Sequence, residues 1–170
     1  AYEVPKWLEF RRVLFRSGPL PVFPLDRTQS GLQLLHRWIE IGPVAGLNGT
    51  LCSYPLEAEF GRVLFACRPD ERHLNFVGLV HGGVGAALID IVGGAAAMSC
   101  LKPGETLLTT DLNLRFLRPV HPGRGEMMAE GRVIHRDDRK VVADVVVRLN
   151  GDVVVMGNAG VSIRPPSPGQ

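Results

Sequence analysis

Residues 81–101 read HGGVGAALIDIVGGAAAMSCL. Wound as a helix, this stretch puts glycine, alanine and aliphatic side chains on every side. A helix that is apolar all round is either a membrane span or a helix buried in a core. Asp90 lies near its middle, and five glycines (Gly82, Gly83, Gly85, Gly93 and Gly94) interrupt it. No basic flank favours insertion. The stretch therefore reads as a buried helix. Such a helix needs a sheet curled around it, and the flanking sequence supplies strands.

Downstream, Leu112, Leu114 and Phe116 alternate with Asp111, Asn113 and Arg115, the period of a half-buried strand. Pro119, Pro122 and Gly123 break the run. A second strand is expected over 126–136, closed by a turn at Asp137-Asp138. Val141, Ala143, Val145, Val147 and Leu149 fill one face of a third. Asn150-Gly151 is a two-residue hairpin signal, because both positions tolerate positive φ. Val153, Val155, Gly157, Ala159, Val161 and Ile163 form a fourth. Upstream, strands are expected over 51–59 and 62–68 with a turn near Gly61, although Pro55 counts against the first. The polar run 68–75 reads as a loop. Before these, Ser30 opens a helix with Gln33 at capping-box spacing. Leu32, Leu35, Trp38 and Ile39 make its apolar face, and Gly42-Pro43 ends it. The order is helix, two strands, buried helix, then four strands joined by short turns. It predicts the α+β class, with an antiparallel sheet wrapped around one long buried helix.

The chain has 170 residues, 45% hydrophobic and 21% charged, which suits one ordinary globular domain. Its formal charge of +2, from 19 basic and 17 acidic residues, argues against a nucleic-acid or membrane-surface binder. Cys52, Cys67 and Cys100 are odd in number and widely spaced, with no CxxC pair or zinc pattern. They fit a reducing cytoplasm, and no metal or cofactor is expected. Residues 8–17, LEFRRVLFRS, carry three arginines and resemble the in-frame translation of a short-read sequencing adapter. Residues 1–17 are therefore read as an artefact or a disordered tail and set aside. Without them the formal charge falls to zero. No secretory signal is seen. The expected organisation is an irregular lead-in at 18–28, one domain at 29–164 and a disordered proline-rich tail at 165–170.

The chemistry concentrates at the start of the buried helix. Gly82 and Gly83 stand where unpaired backbone N–H groups and a partial positive charge gather. Glycine lets a ligand oxygen approach that backbone. A carbonyl turning tetrahedral would find an oxyanion hole there. Asp90 follows about two turns later on the same helix. A carboxylate on an apolar helix is costly to bury unless it has a partner or a task. An N–H cradle with a carboxylate points to hydrolysis of an activated acyl group. The same residues also admit a structural account: close helix packing for the glycines, a loop hydrogen bond for His81, a strand cap for Asp90.

The pattern Asn75-x2-Gly78-x2-His81-Gly82-Gly83-x6-Asp90 resembles that of hotdog-fold acyl-CoA thioesterases, in particular the phenylacetic-acid-degradation type within the 4-hydroxybenzoyl-CoA thioesterase superfamily. The run Thr109-Thr110-Asp111-Leu112-Asn113, the segment Phe116-Leu117-Arg118-Pro119 and the helix start Ser30-Gly31-Leu32 are similar to that family too. The resemblance implies a hotdog fold and an acyl-CoA substrate. It implies Asp90 as catalytic carboxylate, acting as nucleophile or as general base on water. Gly82 would supply the N–H to the thioester oxygen. Asn75 would orient the water or thioester, His81 would position the carbonyl, and Thr109 would hydrogen-bond the water or carboxylate. Gly83 would contribute to substrate binding. It also implies a site shared between two subunits, with Asn75, His81 and Gly82 from one and Asp90 and Thr109 from the other, in a dimer or a tetramer built as a dimer of dimers.

Arg115, Arg118, Arg136, Arg139 and Lys140 could meet the CoA phosphates, but each alone reads as a solvated strand end or turn. A thiol nucleophile at Cys67 or Cys100 lacks a basic neighbour in sequence. Two other functions fit the architecture: a hotdog enoyl-CoA hydratase or dehydratase, and a non-catalytic acyl-CoA-binding module. The spacing from His81-Gly82-Gly83 to Asp90 favours the thioesterase.

Overall fold

Ser30 starts the first helix, α1 (Gly31–Ile41), through a closed capping box. The Gln33 N–H donates to the Ser30 hydroxyl at 3.3 Å, and the Ser30 N–H donates to Gln33 Oε1 at 2.8 Å. The structure, a computed structural model, describes residues 19–166. The expectations for residues 1–17, and for most of the terminal tail, fall outside the described residues. The buried face of α1 is Gly31, Leu34 and Leu35, whereas Leu32 is only half-buried. The rotation follows from Gly31: a Cβ there would collide with the Met98 carbonyl, so the glycine lets α1 lie directly on the end of the central helix.

A single turn, α2 (Leu47–Thr50), leads into β1 (Ser53–Glu59) and β2 (Arg62–Cys67), joined at Gly61, whose φ of 75° the glycine allows. Pro55 is accommodated because β1 is an edge strand with a register shift between Pro55 and Glu57. A 3-10 turn, Glu71–His73, precedes the central helix α3 (Gly82–Met98). The remaining strands are β3 (Thr106–Phe116), β4 (Met127–Arg136), β5 (Lys140–Leu149) and β6 (Asp152–Arg164). The β5–β6 hairpin turns on Asn150 (φ 51°) and Gly151 (φ 91°), as the sequence predicts.

All six strands form one antiparallel sheet in the order β1-β2-β4-β5-β6-β3. The last four strands are therefore not a simple succession of short turns. β3 pairs only with β6, at the far edge, and residues 117–126 carry the chain back to β4. The helix explains this: α3 crosses one face of the sheet and delivers the chain to the opposite edge from β1 and β2.

Val84, Leu88, Ile89, Val92 and Ala96 of α3 meet Phe65, Ala129, Val145, Val147 and Val155 of the sheet. Small residues set the distance. A Cβ at Gly93 would stand 2.5 Å from Ala159 Cβ, and one at Gly131 would stand 2.8 Å from the Val92 carbonyl oxygen. The helix is not buried all round. Ala87, Asp90, Ile91, Gly94 and Met98, at positions i, i+3, i+4, i+7 and i+11, form a half-open stripe along one side of the helix. Along β3, Leu112 and Phe116 share the helix-facing side with their buried partners Ala159 and Val155. They extend past the helix and are 41% and 58% exposed. Among the described residues no helix is long and apolar enough to cross a membrane.

Candidate active site

The approach to α3 is built from short-range hydrogen bonds. Asn75 Oδ1 accepts from the N–H groups of Val77 (3.0 Å) and Leu79 (3.1 Å), and the Asn75 N–H donates to the Leu79 carbonyl at 2.8 Å. Gly78, at φ 82°, closes the loop. The loop lifts Phe76 fully into solvent and brings the chain to His81. His81 is the N-cap of α3, and its Nδ1 accepts from the Gly83 N–H at 2.8 Å. Its own N–H donates to the His73 carbonyl at 2.8 Å. His73 is buried: its Nδ1 accepts from the Asp70 N–H at 2.9 Å, and its Nε2 lies 2.6 Å from the Thr50 carbonyl. The hydrogen bond and ion pair from Arg72 hold the Asp70 carboxyl at about 2, below its ordinary range.

This network engages the Gly83 N–H and leaves the Gly82 N–H without an acceptor among the described residues. Gly82 is exposed at the first helical position, where the backbone has no partner of its own. The exposed ring of Phe116 lies over it, since a Cβ at Gly82 would stand 3.2 Å from Phe116 Cζ. Asn75, His81, Gly82, Phe116 and Arg118 line one cavity of about 300 Å³.

Asp90 belongs to a second cavity. Thr109 Oγ1, on β3, donates to Asp90 Oδ1 at 2.8 Å. The pair stands at a groove of about 400 Å³. Leu34 and Trp38 of α1 form one wall, Thr106 and Leu107 of β3 another, and Ile91, Gly94, Ala95 and Met98 of α3 the floor. The groove is apolar apart from Asp90, Thr109 and a polar rim. Two buried polar atoms in its lining residues, Trp38 Nε1 and Gln29 Oε1, have no hydrogen-bond partner.

The predicted residues thus come together as two groups, Asn75 with His81 and Gly82, and Asp90 with Thr109. The two groups do not meet within one protomer. Gly82 and Asp90 are eight positions apart on α3, about 12 Å along the axis. Sequence reading did not single out Gly94, Met98 or Leu107, and it took Trp38 only as part of an apolar helix face. A tryptophan at the edge of that face was the one available signal. Of the arginines and lysine considered for phosphate, Arg118 lines the Gly82 cavity and approaches Asp152 at 3.4 Å. Arg136 instead donates to the Cys100 carbonyl, and Lys140 lies 3.8 Å from Asp111. Burial pushes the Cys67 thiol up to about 12, and the thiol donates to the Leu51 carbonyl, so it is no nucleophile.

The family model of the thioesterase superfamily matches residues 77–156, from the loop before His81 well into β6. Fold and match together define the class: a hotdog-fold chain related to the thioesterase superfamily through its central region. Similar curated proteins include a Haemophilus influenzae protein that carries an esterase name, 40% identical over 55 residues (32% of this chain, 40% of that protein). Human acyl-coenzyme A thioesterase 13 is 30% identical over 63 residues (37% of this chain, 44% of that protein). The chain spans less than half the length of these two relatives. Among solved structures, thioesterase HI1161 from Haemophilus influenzae superposes with a TM-score of 0.69 at 22% identity, covering 84% of this chain and 96% of that one. A phenylacetic acid degradation-related protein from Ralstonia eutropha JMP134 gives 0.69 at 24%, covering 79% and 99%. The protein smu.793 from Streptococcus mutans UA159, bound to acetyl CoA, gives 0.61 at 22%, covering 66% and 88%. At such identities the likeness establishes the hotdog fold.

Proposed function

We propose that this chain is an acyl-CoA thioesterase, cleaving an acyl-CoA to the free acid and CoA thiol at a site completed by two copies of itself. The observation that carries the reading is the Asp90 carboxyl, held by Thr109 at the head of an apolar groove. The names of the relatives support the chemistry, and the acetyl CoA on a structural neighbour supports the CoA handle. In this reading the thioester oxygen accepts from the Gly82 N–H of one copy, in the positive field of the α3 N-terminus. Asp90 of the other copy takes a proton from water as the water adds to the carbonyl carbon, or attacks that carbon itself. In the first route the carbon–sulfur bond then breaks, the thiolate takes the proton that Asp90 holds, and the free acid remains. In the second the bond breaks to leave an acyl–Asp90 anhydride, which water hydrolyses to the free acid, restoring the carboxylate and supplying the proton with which CoA leaves as the thiol. His81 Nδ1 is committed to the Gly83 N–H, so its Nε2 side is the one that faces the carbonyl. Asn75 acts by shaping the loop and through its side-chain amide donors. Gly83 contributes an unobstructed backbone, not a donor.

Two features support assembly. The half-sites stand about 12 Å apart along one helix, too far to share one carbonyl. The edge strand β3 leaves backbone groups unpaired beside exposed Leu112 and Phe116, a surface suited to a second copy. A pairing of two such dimers into a tetramer is part of the proposal. The test is a panel of acyl-CoAs with thiol detection, run on wild type and Asp90→Asn. Thiol release that depends on Asp90 is expected. Saturable acyl-CoA binding without thiol release would make the chain a binding module, and hydration of an enoyl-CoA would make it a hydratase.

A further inference from the structure

β3 contains one residue more than its pairing with β6 requires. Leu107 and Thr109 face α3: Leu107 packs against the cluster that holds Leu101 and Val161, and Thr109 donates to Asp90. Leu112 and Leu114 face it as well, Leu112 opposite buried Ala159 and Leu114 packed against the main core. Side chains along a strand alternate between its two faces, so one residue should lie between Thr109 and the next to face the helix. Two do. Thr109 pairs with Val161 and Asp111 with Gly160, which leaves Thr110 as the extra residue of a β-bulge. A bulge bends its strand and sharpens the local twist, and this one begins at the residue that holds Asp90.

Three residues keep the bulge closed. The Thr110 hydroxyl lies 2.8 Å from Asp111 Oδ2 and 3.1 Å from the Gly160 carbonyl oxygen, its one proton shared between two acceptors. The Asp111 carboxylate lies against Gly160, where a Cβ would overlap it. Glycine weakens a strand interior, so its presence at 160 is explained by the room it leaves for that carboxylate. Lys140 Nζ, 3.8 Å from Asp111 Oδ2 and half-exposed, adds little. β3 is an edge strand, and blunting that edge is the competing account of the bulge.

We propose that the bulge at Thr110 and Asp111 aims the Thr109 hydroxyl at Asp90, which makes Thr110, Asp111 and Gly160 positioning residues of the site. The inference rests on the thioesterase reading of Asp90.

Deleting Thr110 is the direct test. Every pair that β3 makes with β6 then fits a regular ladder, and no other side chain has to change face. The deletion is made in two backgrounds, wild type and Thr109→Val. Thiol release is followed from acetyl-, hexanoyl- and phenylacetyl-CoA, with Tm and elution volume measured on the same samples. With Thr109 in place, the deletion should lower kcat roughly 10-fold or more and leave KM within about twofold, with no fall in Tm. In Thr109→Val, where no hydroxyl remains to be aimed, it should change kcat by no more than about twofold. Asp111→Ala should act in the same direction, by roughly 3- to 10-fold. Asp111→Asn keeps an oxygen for the Thr110 hydroxyl and should stay close to wild type.

A deletion that keeps the wild-type kcat overturns the inference. So does a loss of equal size in both backgrounds or a changed elution volume, either of which assigns the bulge to the fold or to the strand edge. If the deletion does not fold, Asp111→Ala, a change at an exposed side chain, decides by the same two-background comparison. A wild type that releases thiol from none of the three substrates overturns the thioesterase reading, and this inference with it.

Discussion

The two halves of the candidate site lie on the same helix and are built by different means. The Gly82 half is local: Asn75, His81 and Gly83 are tied to one another or to loop backbone a few residues away. The Asp90 half is assembled from distant chain segments, with α1, α3 and β3 each supplying a wall. A locally bonded half holds its shape through loop hydrogen bonds, so changing it should disturb stability together with rate. A half made by packing tolerates polar changes at its rim, so changing Asp90 or Thr109 should act on chemistry with little effect on the fold.

The largest effects test whether the halves act as one site. Gly82→Pro deletes one N–H at a helical position where proline is tolerated, and His81 already has the extended backbone (φ −60°, ψ 137°) that a following proline wants; the exposed Phe116 ring, 3.2 Å from the added Cβ, must shift to admit it. Loss of that donor should lower kcat about 100- to 1000-fold. Asp90→Asn should lower it roughly 100-fold or more. The two inactive variants, unfolded and refolded together, should recover activity, because a two-fold dimer containing one of each has one intact site. Statistical mixing gives about a quarter of the wild-type rate. A mixture as inactive as its components would break the shared site and leave each half to be explained separately.

Thr109→Val comes next. It removes the hydroxyl that donates to Asp90 Oδ1 and keeps the shape of the side chain. A hydrogen bond to a charged group contributes about 1.5–3 kcal/mol, so kcat should fall roughly 10- to 100-fold. The Tm should stay close to wild type, in contrast to changes in the loop half. An unchanged rate would reduce Thr109 to a strand residue that happens to touch Asp90.

The same contrast governs what the sequence discloses. The hairpin at Asn150-Gly151, the capping box at Ser30 and Gln33 and the start of α3 at His81-Gly82-Gly83 are local, and each is legible because a few adjacent residues determine it. The sheet order is not. Nothing within residues 106–116 says that they pair with β6 and not β4; the path of α3 across the sheet decides that. Nor does periodicity reveal that α3 keeps a half-open stripe, since Gly94 reads like Gly93 until the sheet is seen under one and empty space beside the other. Asp90 was legible because it is the only charge in an apolar helix, its groove illegible because α1 and β3 approach from far along the chain.

His81→Ala should show the coupling expected of the local half. It removes the N-cap acceptor of the Gly83 N–H, a loss of about 1 kcal/mol in typical helices. The Tm should fall by about 2–4 °C, with the rate falling alongside. His81→Asn restores a capping side chain and should recover the Tm. If it recovers the rate as well, His81 serves as a cap alone; a rate that stays low assigns the imidazole a part in holding the carbonyl.

The smallest effect lies one layer behind. Asp70 caps the turn whose His73 carbonyl holds the His81 N–H, and Arg72 keeps the Asp70 carboxyl at about 2, against an ordinary 3.8. A carboxyl lowered on folding stabilises the native state above its ordinary value and loses that contribution as pH falls through the folded one. The window is therefore pH 4 down to 2. The side chain is 43% exposed, so water screens most of the interaction. Asp70→Asn keeps a capping oxygen and removes the charge. Its Tm should lie below wild type by less than about 3 °C at pH 6, and the gap should close towards pH 2. A gap that persists unchanged to pH 2 would mean that the charge contributes nothing and that Asp70 acts through its capping contact with the Arg72 N–H alone. The local half would then depend on His73 and Asn75 and be insensitive to acid.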